Sequence, residues 1–150
     1  MMGESKMENI KIFQGLSKES LKRVELALKK RIYIAGDTIF EEGDRGKEFY
    51  IIIKGNVEIL KSGVKIEELG EKEIFGEMAV IDDLERSATV KAGTDIEVYV
   101  MSYEEFQQLK KEDIEAYTQI IINISKELSA RLREINDKIQ RIWKWYISAN

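Results

Sequence analysis

From Arg31 to Gly70 the chain reads RIYIAGDTIFEEGDRGKEFYIIIKGNVEILKSGVKIEELG, and this stretch decides the fold. It holds the short runs RIYI, TIF, EFYIII, VEIL and VKIEEL, rich in branched and aromatic side chains and separated by Gly36, Gly43, Gly46, Gly55 and Gly63. SATVKA and IEVYVM carry the same pattern on to Met101, with Gly70, Gly76 and Gly93 as further punctuation. Strand-like runs at roughly 8–12-residue spacing, most without a helix between them, read as an antiparallel sandwich or jelly-roll barrel. The glycines of Glu42-Gly43-Asp44-Arg45-Gly46 read as a hairpin turn that needs a positive φ, not as a metal or phosphate loop.

Helical patterns flank this region. Ser17 opens a stretch in which Leu21, Val24 and Leu28 recur at helical spacing, predicting a helix over 18–30. Ser102 followed by Glu105 is a capping box, predicting a helix from Tyr103 to about Lys110 with Phe106 and Leu109 inward. From Ile114 the apolar positions Tyr117, Ile121, Ile124, Leu128, Leu132, Ile135, Ile139, Ile142 and Tyr146 step by three or four without a Gly or Pro. One helix of ~50 Å is implied at ~1.5 Å per residue. Two successive steps of four at Leu128 and Leu132 form a stutter in an otherwise heptad-like seam. A small barrel cannot cover so long a stripe. Its outer part is expected to pack in parallel against the same helix of a second copy, making a homodimer. The alternative is that the stripe folds back on its own barrel. The fold class is therefore mainly β with flanking α, an antiparallel β-roll or jelly roll with an N-terminal helix and a long C-terminal helix. Residues 1–111 form the β-roll unit with its helices, and residues 112–150 the lid and dimerisation helix.

Composition removes many functions. The 150 residues contain no Cys, so disulfides, thiolate zinc sites, iron–sulfur clusters and cysteine nucleophiles are excluded. They contain no His, which removes imidazole bases and the ligands that a cupin-like enzyme or a haem sensor would use. Ser-His-Asp, Cys-His and HExxH constellations all fail, and no Walker-type or GxGxxG loop is present. The net charge of −4 gives no general reason to bind DNA, so any anion site must be local. No apolar run approaches the ~20 residues of a membrane span, and 1–9 lack a secretory signal, so a cytoplasmic protein without a membrane partner is expected.

The chemistry concentrates in Phe75-Gly76-Glu77-Met78-Ala79-Val80-Ile81-Asp82-Asp83-Leu84-Glu85-Arg86-Ser87-Ala88-Thr89-Val90. Gly76 lets the backbone approach a ligand, and a helical turn after it can direct N–H groups at an anion. Arg86 can return beside that turn and pair with a phosphate in bidentate fashion. Glu77, set a little further off, suits a sugar hydroxyl and discriminates against inorganic anions. Asp82, Asp83 and Glu85 read as a surface loop rather than as acid–base catalysts, because nothing there raises a pKa.

This segment resembles the phosphate-binding cassette of the cyclic nucleotide-binding domain family, which includes catabolite activators and regulatory subunits of cAMP-dependent kinase. IFQGLS, AGDTIFEEGDRGKEFYIIIKGNVEIL and YEEFQQL extend the resemblance over about Ile12 to Leu132. The resemblance implies that Arg86 grips a cyclic phosphate and Glu77 the ribose 2′-hydroxyl. Phe75, Gly76, Met78, Ala79, Ser87 and Ala88 complete the ligand-binding set. It also implies that the long helix closes over the base, with Arg131 as a base contact and Arg133 and Asn136 nearby. Two positions depart from the family: Lys72 stands where a glycine is common, and Glu85 where a proline is common before the arginine. The expected ligand is cAMP, with cGMP possible, and no other cofactor. The expected role is a receptor that signals to an unknown effector protein through its C-terminal helix. It is not an enzyme and not a DNA binder, since too few residues follow the helix for a helix-turn-helix. The alternative is a ligand-free interaction module that works through helix dimerisation. The tail Trp143-Lys144-Trp145-Tyr146 reads as the end of the dimer seam.

Overall fold

The computed structural model describes residues 7–150, apart from the side chain of Val80. Positions 1–6, read above for the lack of a signal, lie outside the described residues. A 3₁₀ turn, Lys11–Phe13, leads into α1, Lys18–Ala27. Eight strands follow: β1 Lys29–Tyr33, β2 Thr38–Phe40, β3 Glu48–Lys54, β4 Val57–Lys61, β5 Val64–Leu69, β6 Ile74–Phe75, β7 Thr89–Ala92 and β8 Ile96–Ser102. A four-residue helix, α2 (Met78–Ile81), interrupts them between β6 and β7. The chain ends in α3, Tyr103–Glu112, and α4, Ile114–Ala149. The expected jelly-roll class is the one observed. Two antiparallel four-stranded sheets face each other, one in the order β1-β8-β3-β6 and the other β2-β7-β4-β5.

The unbroken apolar run of β3 has a physical cause. Alternate side chains of a strand point to opposite faces, and both faces of β3 are covered. Phe49 and Ile51 enter the core shared with the helices, beside Leu21, Val24, Met101, Phe106 and Ile120. Tyr50 and Ile52 enter the core between the sheets, beside Val57, Ile59, Phe75, Val90 and Val98. Each such side chain contributes ~1.5–3 kcal/mol on burial, so β3 fastens the sheets to the helices.

Local signals fix most boundaries. Ser102 Oγ accepts the N–H of Glu105 at 3.1 Å, as the capping box predicts. Asp113 caps α4 by accepting the N–H of Ala116, and its other oxygen accepts Ser20 Oγ (2.6 Å) and Arg23 Nη1 (2.8 Å), tying α1 to α4. Ser62 and Gly63, both at positive φ, make the tight β4–β5 hairpin.

Two expectations need correction. The first helix stops at Ala27 rather than 30, because Lys29 pairs with Val100 in the sheet. The Glu42–Gly46 loop is not a hairpin turn, because β2 and β3 belong to different sheets. The helical stripe is divided: Ala116, Ile120 and Ile124 are buried and Leu128, Leu132 and Ile135 line a cavity beside the second sheet, whereas Ile139, Ile142 and Tyr146 are exposed. Among the described residues no helix is long and apolar enough to cross a membrane.

Candidate functional site

Between the second sheet, α2 and the middle of α4 lies a cavity of about 590 Å³. Phe75, Gly76, Glu77, Met78, Ala79, Arg86, Ser87, Ala88 and Arg131 all line it, so the fold brings together every site residue read from the sequence. Their surroundings differ. Glu77 and Arg86 are buried, Met78 and Ser87 are exposed, and Gly76 and Ala88 lie between. A second cavity of about 500 Å³, lined among others by Lys47, Asp83, Tyr103 and Tyr117, contains neither Glu77 nor Arg86.

Arg86 is held in an unusual way for a cation that is only 5% exposed. Its Nη1 donates to the carbonyl of Gly76 (3.0 Å) and its Nη2 to the carbonyl of Glu48 (2.9 Å). The guanidinium carbon stands 4.0 Å from the centre of the Phe40 ring, a cation–π stack. Among the described residues no carboxylate touches it, and its buried Nε has no hydrogen-bond partner. Burial pulls the Arg86 pKa below its ordinary value, while the more distant Tyr50 and Glu48 act the other way. The charge is fixed in place but not neutralised by contact.

The segment around Arg86 is anchored from a distant loop. Asp44 O accepts the N–H of Arg86 and Gly43 N–H donates to Arg86 O, both at 2.8 Å. Gly46 completes this seat. A Cβ there would stand 2.3 Å from Arg86 Nε and 2.6 Å from Cζ, so glycine is needed for close approach, not for a turn. Gly76 is constrained twice, by a φ of +75° and by a would-be Cβ 2.8 Å from Arg86 Nη1. Sequence reasoning missed Gly46 as a site residue because its neighbour in space lies forty positions later.

Glu77, 4% exposed, has a different partner. Arg131 reaches down from α4, and its Nη1 donates to Glu77 Oε1 at 3.0 Å while Nη2 donates to the carbonyl of Ile74. Burial pushes the Glu77 carboxyl above its usual range; the Arg131 charge opposes that rise and the Glu67 carboxylate adds to it. Arg131, expected as a base contact, lines the same cavity and ties the long helix to the cassette. Arg133 bonds instead to Ser129 Oγ, and neither it nor the exposed Asn136 lines the cavity. Leu128, Leu132 and Ile135 bring the apolar stripe of α4 over the mouth.

The arrangement can receive a small anion at Arg86 and hydroxyl donors at Glu77, with apolar surface alongside. Comparison with known proteins agrees with that chemistry. The family described as cyclic nucleotide-binding domain matches residues 30–113. The chain is 34% identical over 110 residues to a cAMP-dependent protein kinase regulatory subunit of Candida albicans, covering 73% of this chain and 24% of that protein. It is 37% identical over 101 residues to a cGMP-dependent protein kinase of Eimeria tenella, covering 67% of this chain and 10% of that one. It thus spans a quarter or less of the length of these two relatives. A solved cyclic nucleotide-binding domain from Methylobacillus flagellatus superposes with a TM-score of 0.80 at 26% identity, covering 89% of this chain and 78% of that one. The match spans more than half of the chain and includes both Glu77 and Arg86, and the chain belongs to the cyclic nucleotide-binding domain family.

Proposed function

We propose that the chain is a receptor for a 3′,5′-cyclic purine nucleotide, cAMP by resemblance with cGMP as the alternative, and that it works in the cytoplasm as a regulatory unit rather than an enzyme. The observation that carries this reading is Arg86: a buried guanidinium on a cavity wall, held by two main-chain carbonyls and a ring, with no carboxylate in contact among the described residues. A cyclic phosphate supplies the missing charge. Glu77 accepts the ribose 2′-hydroxyl, and Phe75, Gly76, Met78, Ala79, Ser87 and Ala88 form the surrounding wall. Residues 1–111 act as the binding unit and 112–150 as lid and dimer helix. Output passes through α4, because Arg131 on that helix holds the same carboxylate that the ribose requires. A ligand shifts a conformational equilibrium only through such differential contacts. The outer face of α4 pairs with a second copy, and an effector protein reads the helix position. A ligand-free scaffold would have no use for a buried cation without a counter-charge.

Calorimetric titration with cAMP, cGMP and a cyclic dinucleotide tests the proposal. One of the two mononucleotides binds, and Arg86→Ala weakens it by ~2–5 kcal/mol, the scale for removing one side of a buried charge pair. Equal affinity in the folded variant rejects the site.

A further inference from the structure

Glu67 is a carboxylate on the cavity wall that the phosphate and ribose contacts leave unused. It lies on β5 opposite Ile59 of β4, and residues directly opposed in an antiparallel pair share a face. Ile59 is 9% exposed and belongs to the core between the sheets, so Glu67 is turned inward with it and lines the cavity beside Ile66 and Leu69. Among the described residues no hydrogen-bond donor or cation is paired with this half-buried carboxylate, which stands near enough to Glu77 to act on its charge. A carboxylate kept on an apolar wall without a donor is costly unless something else supplies one.

Its position in the sheet indicates what arrives there. The second sheet runs β2-β7-β4-β5. Arg86 stacks on Phe40 of β2, at one edge, and Glu67 stands on β5, at the other. Three strand spacings of roughly 4.8 Å separate those edges, about 14 Å in all. A nucleotide with its phosphate at Arg86 and its sugar at Glu77 extends its base along this span. Leu69, Leu128 and Ile135 then flank the ring, and Glu67 meets its far edge. A carboxylate only accepts hydrogen bonds. Guanine offers two adjacent donors on its Watson–Crick edge, N1–H and the 2-amino group, which match the two oxygens of one carboxylate. Adenine offers a single amino group there and places the N1 lone pair beside it, facing the second oxygen.

We propose that Glu67 reads the base and makes the site selective for cGMP over cAMP. This rests on the receptor reading above and departs from the cAMP that resemblance alone suggests. Carboxylate recognition of the N1–H and amino pair sets the preference, and the apolar wall supplies affinity common to both bases.

The test is calorimetry of the full chain with cGMP, cIMP and cAMP, repeated with Glu67→Gln and Glu67→Ala. The wild type binds cGMP roughly 5- to 150-fold more tightly than cAMP, the range for one good bidentate base contact. cIMP, which keeps N1–H and lacks the amino group, falls between them. Glu67→Gln collapses the preference, because an amide pairs with the amino group and N1 of adenine and equally with the N1–H and O6 of guanine. Glu67→Ala brings the two nucleotides together without abolishing cAMP binding. If neither nucleotide binds the wild type, the receptor reading falls and this inference with it. If cAMP binds as tightly as cGMP, or Glu67→Gln leaves the ratio unmoved, the inference alone is overturned. Should the variants fail to fold, the wild-type order of the three nucleotides still decides.

Discussion

Replacing Gly46 by alanine separates the seat of Arg86 from the stability of the fold. Gly46 does not adopt a positive φ, so alanine meets no backbone strain there. The new methyl would stand 2.3 Å from Nε and 2.4 Å from Nη2 of Arg86, far inside van der Waals contact. What it strikes is the end of a long flexible side chain, so the guanidinium moves and the surrounding β-roll does not. Displacement breaks the hydrogen bonds to the carbonyls of Gly76 and Glu48 and lifts the ring stack from Phe40. Each charged hydrogen bond is worth ~1.5–3 kcal/mol, but the displaced group recovers part of that in water. The expected loss of nucleotide affinity is ~2–4 kcal/mol, or roughly 30- to 1000-fold in Kd. The melting temperature changes little by comparison. Titration calorimetry and thermal melting of Gly46→Ala, Arg86→Ala and the double variant measure this directly. Because both substitutions act on one guanidinium, their effects on binding fall well short of additive. A folded Gly46→Ala protein that binds like the wild type would refute the seat, and additive losses would place the two residues in separate roles.

Lys72 has a φ of +71°, the conformation that a non-glycine residue enters at a cost of ~1–2 kcal/mol. Lys72→Gly therefore raises stability by up to ~1 kcal/mol after the greater chain entropy of glycine is subtracted, and a lower denaturation midpoint contradicts this. Arg131→Met leaves Glu77 buried without its cation and costs about 2–3 kcal/mol at neutral pH, below the range for a fully enclosed pair because the Arg131 side chain keeps 18% exposure. Glu77 already has a folded pKa above its unfolded value, so its charged form weakens the native state as pH rises through that value. The deficit of the variant shrinks as the pH is lowered toward 5, and a deficit equal at pH 5 and pH 8 rules out Glu77 as its source. Ile139→Asp puts a charge in the middle of the outer stripe of α4, and sedimentation shows a wild-type dimer becoming a monomer; a monomeric wild type at high micromolar concentration defeats the dimer.

Much of this molecule is legible along the chain, and what is not has a common cause. The run Phe49–Ile53 marks a strand covered on both faces, and Ser102 with Glu105 marks a helix start, because both signals sit within a few residues of their effect. Glu77 and Arg86 are legible as a pair because one short loop returns the second beside the first. The role of Gly46 is not, since the atom it must avoid belongs to a side chain forty positions away. β6 has only two residues, Ile74 and Phe75, and exists because Tyr50 and Ile51 of β3 pair with it; its own sequence is too short to carry a period. The overshoot of the first helix is similar, with sheet pairing at Lys29 overriding a helical pattern that local spacing would extend. Arg131 could be placed over the site from the family resemblance, but not which acceptor it would choose.

That choice bears on how a bound nucleotide would be felt. The phosphate end is preset: Arg86 is fixed by carbonyls and a ring, so an anion adds to its contacts without displacing any carboxylate. The ribose end is contested, because Glu77 already holds Arg131 of α4 at 3.0 Å and a hydroxyl donor must share or take that oxygen. On the proposed reading, affinity would reside mainly at Arg86, and coupling to the helix mainly at Glu77. A 2′-deoxy cyclic nucleotide separates the two. It keeps the phosphate contact and binds with a modest loss, but it offers nothing to compete with Arg131. Hydrogen exchange at the α4 amides near 128–135 then remains as in the free protein, whereas the ribonucleotide changes it. Equal shifts with both ligands would move the coupling from the carboxylate to the phosphate.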